Sequence, residues 1–485
     1  MGIRINIIGA GLAGSEAALQ FASRGFDVYL YEMRPDHQTP VHKTGLCGEL
    51  VCSNSLKSMK AESAAGMLKY ELSQMGSNLL RIAYQCQVDA GGALAVDRGQ
   101  FAHKITSAIM SSDHITLVHE QVNGVALNGR VIFNDEEQHA SEDLPFATII
   151  ATGPLTDGPL ACWLENQMQR KQLFFFDAAA PIVMSDSLDM NKLFLQSRYE
   201  QGAGDYLNAP FSRAQYETFI EELVGADRVI RRSFETKDLF QACQPIEEIA
   251  RKGVDAPRFG TLKPVGLVDP HTGHRPWAAV QLRAENKALT SYNLVGFQTN
   301  LTFPEQRRVF RMIPGLEHAE FARYGVMHRN SFVDAPHELD QHLQLTSWKG
   351  TPLYIAGQLS GTEGYCEAIA SGLHVALDII ERIQGTERPL IPSSTAFGAL
   401  IRYATDPCTE SYQPLHVNFG IMDPIVPKIR HKKERYAAYA QRGARDLASY
   451  RDNLIRLGII DSSSCVGASD GCSGMTLDGE MPNGD

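Results

Sequence analysis

Three glycines near the start of the chain have the spacing of a phosphate-binding turn. Gly9, Gly11 and Gly14 form a Gly-x-Gly-x-x-Gly motif between an apolar run of strand length and apolar residues at helical spacing. A second apolar run ends in Glu32, 23 residues after Gly9. Glycines allow a pyrophosphate to approach the helix amino terminus closely, and an acid at this distance accepts hydrogen bonds from ribose hydroxyls. The pattern predicts a dinucleotide site made of Gly9, Ala10, Gly11, Leu12, Ala13, Gly14 and Glu32.

Two later segments favour FAD over a lone nicotinamide dinucleotide. Residues 147–153 form an apolar run ending in Ala-Thr-Gly, and residues 353–357 form another that leads into a glycine-rich turn and a helix of small residues. An ordinary α/β strand and helix is the alternative interpretation. If FAD binds, Glu363 and Tyr365 are expected near its isoalloxazine ring. The cofactor residues predicted at this end of the chain are Gly357, Glu363, Gly364 and Tyr365.

Glycine motifs at both ends of the chain predict an α/β fold whose Rossmann-type FAD-binding domain is discontinuous. Its two parts are expected at residues 1–181 and 327–460. Residues 182–326 contain short mixed segments interrupted by glycine clusters, which indicates an inserted, smaller α+β domain. A helix is predicted over residues 427–457, with a basic run at its start, and residues 461–485 are expected to be a disordered tail.

The composition is that of a globular protein. The 485 residues include 45 basic and 56 acidic side chains, which gives a formal net charge of −11, and 44% of them are apolar. Nine cysteines, an odd number without Cys-x-x-Cys spacing, indicate neither a disulfide framework nor a metal site and fit the cytoplasm. We expect no export signal, no membrane span and no binding of long DNA, although a local basic patch can still bind RNA.

Five further blocks of sequence resemble one enzyme family. The chain from about residue 4 to 450 closely resembles the folate- and flavin-dependent tRNA uracil-5-methyltransferases (TrmFO), and these blocks are longer and more specific than a dinucleotide motif. They are Gly-Glu-Leu-Val-Cys-Ser-Asn-Ser-Leu at 48–56, Ala-Gly-Gly-Ala-Leu-Ala-Val-Asp-Arg at 90–98, Gly-Phe-Gln-Thr-Asn at 296–300, Glu-Gln-Arg-Arg-Val-Phe-Arg-Met-Ile-Pro-Gly at 305–315 and Arg-Tyr-Gly-Val-Met-His-Arg-Asn at 323–330.

The resemblance implies a reaction at carbon 5 of uridine 54 in the T loop of tRNA. In this family methylenetetrahydrofolate supplies the carbon, reduced FAD receives it and NAD(P)H reduces the flavin. Carbon 5 of uracil is a poor nucleophile, so a thiolate adds first to carbon 6. By its motif the nucleophile corresponds to Cys243. A second functional cysteine corresponds to Cys52, which either removes the carbon-5 proton or protects the flavin that carries the carbon.

Two other functions stay open at this point. One is flavin-dependent modification of the wobble uridine of tRNA, by related enzymes that share the flavin motifs but run longer at the carboxyl end. The other is a non-catalytic protein that binds flavin and RNA. His328 and Arg329 are candidates for contacts to folate, flavin or RNA. The basic residues at 428–435 are the predicted RNA surface, and Arg307, Arg308 and Arg311 are the second choice.

Overall fold

The computed structural model describes residues 2–39, 41–134, 136–137, 144–170, 173–198, 204–229, 244–409 and 412–461. Within these ranges the largest structural unit is a five-stranded parallel sheet. Its strands, in spatial order, are β19 (Leu353–Ile355), β10 (Ala147–Ile150), β1 (Arg4–Ile8), β2 (Asp27–Tyr31) and β6 (Ile115–Val118).

The central strand β1 shows why this sheet forms. All five of its residues are buried, as expected for a parallel strand covered by helices on both faces. Its polar residues have buried partners, because Arg4 donates to the Tyr31 hydroxyl at 3.1 Å and Asn6 donates to the Gly129 carbonyl at 3.1 Å. The strand can therefore carry two polar side chains without leaving their hydrogen bonds unmade.

A second, antiparallel sheet lies in sequence between β10 and β19, the fourth and last strands of the parallel sheet. Its six strands are β13 (Phe194–Leu195), β14 (Tyr206–Phe211), β15 (Ala278–Ala284), β16 (Ser291–Leu294), β12 (Ile182–Met184) and β17 (Phe321–Arg323), again in spatial order. It has its own apolar core, separate from the core around the parallel sheet. A two-stranded antiparallel ribbon of β11 (Leu173–Ala178) and β18 (Met327–Phe332) flanks it in sequence on both sides.

The remaining strands form two small antiparallel sheets. One contains β3 (Ser55–Ser58), β5 (Ala93–Val96) and β4 (Gln87–Val88), and the other contains β7 (Gly124–Val125), β8 (Val131–Phe133) and β9 (Glu136–Glu137).

The described helices pack around these sheets. They are α1 (Leu12–Ala22), α2 (Ala64–Gln74), α3 (Asn78–Gln85), α4 (Arg98–Met110), α5 (Gly158–Gln167), α6 (Arg213–Gly225), α7 (Ile246–Arg251), α8 (Ala256–Phe259), α9 (Phe303–Phe310), α10 (Ala335–Glu338), α11 (Tyr365–Gln384), α12 (Ala396–Thr405) and α13 (Lys432–Arg456). None of the helices in the described ranges is long and apolar enough to cross a membrane.

The predicted fold class is confirmed: a Rossmann-type α/β unit is assembled from both ends of the chain, and a smaller α+β unit is inserted between them. The exact domain boundaries stay predictions. Of the predicted tail, residues 462–485 lie outside the described residues.

One predicted element begins later than expected. The basic carboxyl-terminal helix, predicted from residue 427, begins at Lys432 as α13, and the residue before it, His431, has extended backbone angles. Lys428 and Arg430 therefore precede the helix and do not share a helical face with Lys432. The Ncap residue of a helix has non-helical backbone angles, and His431 has them, so the helical hydrogen bonding starts after it.

Candidate functional site

The first glycine motif forms a tight turn between β1 and α1. Gly9 has a φ of +101°, and a Cβ atom there would lie 2.6 Å from the Ala151 carbonyl oxygen. A Cβ atom on Gly14 would lie 1.9 Å from the Gly9 carbonyl oxygen. At Gly11, in contrast, the nearest atom would be 3.9 Å away. The outer two glycines are therefore required by packing, whereas Gly11 leaves open space at the amino terminus of α1. That space fits a pyrophosphate.

A pocket opens beside this turn at the carboxyl ends of β1, β2 and β10. In a parallel sheet this is where nucleotides bind. Its lining includes Gly9, Gly11, Glu32, Arg34, Ala151 and Thr156.

Glu32 lies at this pocket but is already extensively bonded. One carboxylate oxygen accepts from the Arg34 backbone N–H at 3.1 Å and Nε at 2.8 Å, and the other accepts from Arg34 Nη2 and the Ala10 N–H, both at 3.0 Å. Burial opposes the charge of Glu32, but these bonds and the Arg34 guanidinium lower its pKa overall. A carboxylate has about four acceptor positions, so a ribose hydroxyl must share one with Arg34. The ribose contact of Glu32 stays a prediction.

The second glycine motif lies directly against the first. After β19, Gly357 has a φ of +77° and its N–H donates to the Ser371 hydroxyl at 2.7 Å. A Cβ atom on Gly372 in α11 would lie 2.2 Å from the Ala13 carbonyl oxygen in α1. The close packing of α1 and α11 thus places residues from opposite ends of the chain in one site.

Cys52 is held by the first residue of α11. The backbone N–H groups of Cys52 and Ser53 both donate to the Tyr365 hydroxyl oxygen, each at 3.0 Å. The Cys52 Sγ lies 3.9 Å from the Ala178 carbonyl oxygen at the end of β11. The thiol is partly exposed. The structure thus brings Cys52 and Tyr365, which were predicted separately as catalytic and cofactor residues, into direct contact.

Two arginines fix the backbone immediately before Cys52. Arg98 donates to the Leu50 carbonyl at 2.7 Å and pairs with Glu285 at 2.9 Å, and Arg323 donates to the Val51 carbonyl. Burial, followed by the neighbouring positive charge of Arg98, lowers the pKa of Arg323. Both guanidiniums interact electrostatically with Cys52. An anionic group at this place would therefore be attracted by two positive charges.

Asn54 joins the Cys52 segment to the inserted sheet. Its side chain is fully buried, donates to the carbonyls of Val96 and Ala284 at 3.1 and 3.0 Å, and accepts from Arg283 Nε at 2.8 Å. Arg283 also donates to the Ser53 hydroxyl at 2.7 Å. Residues 50–54, held by α4, β15, β17 and α11, are called the Cys52 cradle below.

Two buried acids lie at the start of α11. Glu363 accepts from the Gln358 side chain through Oε1, and its Oε2 has no hydrogen-bond partner among the described residues. Burial, then the negative charge of Asp177, raises the pKa of Glu363 to about 8. Glu367 is paired with Lys57 at 3.1 Å, and although burial opposes its charge, Lys57 lowers its pKa overall. The site therefore contains one acid whose pKa is raised by burial and one whose pKa is lowered by a neighbouring cation.

His328 and Arg329 lie on β18, beside a second pocket that shares residues 155–157 with the first. The His328 Nδ1 is 2.7 Å from Asn330 Oδ1, while His328 Nε2 has no hydrogen-bond partner in the described part of the chain. The Arg329 guanidinium lies over the Phe174 ring at 3.8 Å. Their predicted contacts to folate, flavin or RNA stay predictions.

Cys243 lies outside the described residues, which stop at 229 and resume at 244. Both described flanks of this segment form backbone hydrogen bonds with residues 298–300. The Val229 N–H donates to the Asn300 carbonyl at 2.8 Å, and the Ile246 N–H donates to the Gln298 carbonyl at 2.7 Å.

The arginines proposed as a second RNA surface differ in their surroundings. Arg308 is paired with Glu305 and Glu222, and Arg311 donates to the Ala319 carbonyl at 2.9 Å. Arg307 is exposed and donates to the Tyr324 hydroxyl at 2.8 Å. Only Arg307 of the three thus combines exposure with no carboxylate partner among the described residues.

The sequence interpretation missed most of the residues that hold Cys52. Asn54, Arg98 and Arg323 each lie inside one of the blocks that carry the family resemblance, so their membership of those blocks was an available signal. Arg283 lies in no such block, and nothing in its local sequence marked it.

Comparisons with known proteins give a consistent result. The family model described as glucose inhibited division protein A matches residues 4–387. A relative from Moorella thermoacetica is 46% identical over 91% of this chain and 97% of its own length. A relative from Desulforudis audaxviator is 48% identical over 92% of this chain and 97% of its own length. Both relatives bear the name methylenetetrahydrofolate–tRNA-(uracil-5-)-methyltransferase TrmFO.

Among solved structures, Aquifex aeolicus GidA in its form II crystal superposes with a TM-score of 0.67. The match covers 96% of this chain and 75% of that chain at 15% sequence identity. At this identity the likeness shows a shared fold.

Proposed function

This chain belongs to the TrmFO family of methylenetetrahydrofolate-dependent tRNA (uracil-5-)-methyltransferases, and we propose that it methylates carbon 5 of uridine 54 in the T loop of tRNA. Methylenetetrahydrofolate is the carbon donor, FAD the cofactor and NAD(P)H the reductant. The observation that carries the proposal is the Cys52 cradle, which holds a partly exposed thiol against the first residue of α11.

The two glycine motifs are the residues that would hold FAD, which accepts the carbon unit and supplies electrons when bound. Gly11 leaves room for the pyrophosphate at the amino terminus of α1, and the helix dipole favours its negative charge. The unpartnered Oε2 of Glu363 and the Tyr365 hydroxyl mark the other end of the site. The remaining proposed cofactor residues are Gly9, Ala10, Leu12, Ala13, Gly14, Glu32, Gly357 and Gly364.

Cys243 is the proposed nucleophile that adds to carbon 6 of uracil. An ordinary thiol is only a few per cent thiolate at pH 7, so this step needs a base or a positive neighbour. Cys52, which is held by Tyr365 and lies near Arg98 and Arg323, has one of two roles. It either takes the carbon-5 proton or protects the flavin that carries the carbon.

Incubation of the purified protein with unmodified tRNA, labelled methylenetetrahydrofolate and NAD(P)H tests the proposal. We expect label at uridine 54. Label at the wobble uridine, or no label, would contradict the proposal.

The two cysteine variants Cys243→Ala and Cys52→Ala should both lose methyl transfer while NAD(P)H still reduces the bound flavin. Cys408→Ala, which changes an exposed thiol, is the matched control and should remain active.

The start of α13 is the proposed docking surface for the T arm. Lys428, Arg430, His431, Lys432 and Lys433 are exposed. Lys432 Nζ lies 5.4 Å from the centre of the Tyr436 ring, which itself packs on Phe419. A cationic and aromatic surface at a helix amino terminus favours phosphates even on an acidic protein. Arg435 is excluded from this role because it donates to the carbonyls of residues 429 and 430.

Charge reversal of Lys432 and Lys433 tests this docking surface. The double variant to Glu should weaken tRNA binding and reduce the slope of its salt dependence, because fewer counterions are released. Lys104 and Lys349, two exposed lysines elsewhere, give a control double variant with the same change in net charge. Equal tRNA affinity of both double variants across a salt titration would contradict the proposal. The cytoplasmic location and the absence of DNA and membrane partners stay predictions.

A further inference from the structure

Three aromatic rings of the inserted unit are stacked on one another at the protein surface. The Tyr324 ring is central: its centre lies 4.8 Å from that of Phe303 with an interplanar angle of 16°, and 5.0 Å from that of Phe321 with an angle of 15°. Phe321 packs against the core of the antiparallel sheet. Phe303, the first residue of α9, is 48% exposed even though Tyr324 covers one face of its ring. These three residues are called the aromatic ladder.

The edge of the aromatic ladder carries a positive charge. Arg307 lies one turn along α9 from Phe303 and donates to the Tyr324 hydroxyl through Nε at 3.1 Å and Nη2 at 2.8 Å. It has no carboxylate partner within the described ranges, unlike its neighbour Arg308. An exposed ring surface next to a guanidinium without a carboxylate partner in the described ranges adds little to the stability of the fold. It suits a ligand that has flat rings and negative charge.

The aromatic ladder is linked along the chain to the segments of the proposed active site. Arg323 precedes Tyr324 in the chain and extends to the Val51 carbonyl in the Cys52 cradle. Residues 298–302 lead directly into Phe303. They accept hydrogen bonds from the backbone of Val229 and Ile246, which are in the described flanks of the segment that contains Cys243. The ladder is therefore connected by short stretches of chain to both segments that carry the proposed catalytic cysteines.

We infer that the aromatic ladder binds unpaired bases of the RNA substrate by stacking, with Arg307 against a neighbouring phosphate. The inference rests on the proposed function and deepens it, because it names a surface that receives loop nucleotides beside the reacting uridine. Proteins recognise RNA loops by stacking splayed bases on aromatic rings and guanidinium planes, and each stacked base makes a substantial contribution to affinity. The open part of the Phe303 ring is the expected stacking position.

Phe303→Ala tests the inference because Phe303 is exposed and its loss should not prevent folding. We expect tRNA affinity to fall about tenfold or more, which corresponds to the usual effect of removing one stacked base contact. The loss should be the same factor at every salt concentration, since stacking releases no counterions, in contrast to the charge reversal on α13. Flavin content and NAD(P)H oxidation without tRNA should stay at the wild-type level. Phe303→Trp, which keeps a flat ring, should bind tRNA nearly as well as wild type.

Phe259→Ala is the matched control. Phe259 is 75% exposed on the same inserted unit and has Arg258 5.6 Å from its ring, but it does not belong to the aromatic ladder. Its removal should leave tRNA affinity unchanged. Phe303→Ala with tRNA affinity within twofold of wild type would overturn the inference, as would an equal loss in Phe259→Ala. If the wild type methylates uridine 54 and Phe303→Ala binds tRNA normally, only the ladder is refuted. A wild type that binds no tRNA refutes the proposed function as well.

Discussion

The two glycine motifs have the same order of strand, glycine turn and helix, but the first turns of their helices differ. In α1 the first turn is Leu12, Ala13 and Gly14, so it offers bare backbone to a phosphate. In α11 it carries Tyr365 and Glu367, whose side chains bind the chain segment from Cys52 to Lys57. One local fold thus serves two purposes. The first copy leaves space for a ligand, and the second holds the segment that contains Cys52 in place.

Substitutions in the first motif should have the largest effects, and they should differ between its glycines. In Gly14→Val the new side chain would lie 1.9 Å from the Gly9 carbonyl oxygen and 3.2 Å from Ile7 Cγ2, with backbone and a buried strand as the obstacles. Overpacking against backbone is poorly relieved, so we expect almost no folded protein. The yield of soluble protein and its circular dichroism are the measurements. A folded, yellow Gly14→Val would show that the turn adapts.

Gly11→Val is the matched variant in the same turn. Because its Cβ would have no neighbour closer than 3.9 Å, the chain should fold, but the added side chain occupies the space proposed for the pyrophosphate. We expect a folded protein with most of its flavin absorbance lost. Stoichiometric flavin in purified Gly11→Val would refute the proposed cofactor position without affecting the fold.

The effect of Tyr365→Phe should be smaller and of a different kind. It removes the oxygen that accepts the N–H groups of Cys52 and Ser53, and leaving such donors unpaired costs roughly 1–3 kcal/mol. We expect the Cys52 cradle to loosen, so that methyl transfer falls at least about tenfold while flavin content is retained. Labelled methyl transfer and flavin absorbance are measured on the same preparation.

Tyr403→Phe removes a hydroxyl that donates to the Gln413 carbonyl away from the cradle, and it serves as the control. If both variants transfer methyl groups at the wild-type rate, the contact between Tyr365 and Cys52 has no role in positioning the thiol.

These contacts also show where prediction from the sequence succeeds. Both glycine turns and four of the five parallel strands, all but β6, were predicted, because apolar runs, turn glycines and helical spacing are local signals. The Cys52 cradle was not, since Tyr365 is 313 positions from Cys52 and Arg283 is 229 positions from Asn54. Contacts at such separations depend on how α11 and β15 pack. The sequence therefore identified Cys52 and Tyr365 as separate candidates but gave no reason to pair them.

The predicted start of α13 failed for a related reason. The spacing of the residues at 427–457 is helical, but spacing alone does not locate the first residue of a helix. The extended backbone of His431 sets the first helical residue at Lys432. The first and last residues of a helix depend on local backbone geometry, which the spacing of residues along the sequence does not report.

Loss of the ion pair between Lys57 and Glu367 should destabilise the protein by a moderate amount. Lys57→Met leaves Glu367, which is 1% exposed, without its positive partner. Breaking a fully buried pair costs about 3–5 kcal/mol, and because the Lys57 side chain is 35% exposed we expect roughly 2 kcal/mol. Adding Glu367→Gln to Lys57→Met should recover most of that loss. Denaturant unfolding of the single and double variants is the measurement, and a double variant no more stable than Lys57→Met would contradict the pairing.

The two acids of the glycine motifs should respond to pH in opposite directions. Arg34 lowers the pKa of Glu32 overall despite burial, whereas burial and Asp177 raise the pKa of Glu363 to about 8. An acid with a raised pKa binds more protons in the folded state than in the unfolded state. The contribution of Glu363 to stability is therefore fully present below about pH 4.5 and is lost as the pH rises to about 8, with a slope of at most about 1.4 kcal/mol per pH unit. Glu32 contributes in the opposite sense, because its stabilisation is lost as the pH falls below about 4.5.

Glu363→Gln, which is neutral at every pH, should flatten the decline in stability between pH 5 and pH 8. The measurement is the free energy of unfolding at a series of pH values, with flavin content matched between variants. Glu62→Gln, at an exposed acid, controls for the change in net charge and should leave the slope unaltered. If wild type and Glu363→Gln have parallel profiles over this range, Glu363 is ionised in the folded protein. The loop before α11 would then hold a charged acid, as the first motif does at Glu32, and the electrostatic contrast between the two motifs would disappear.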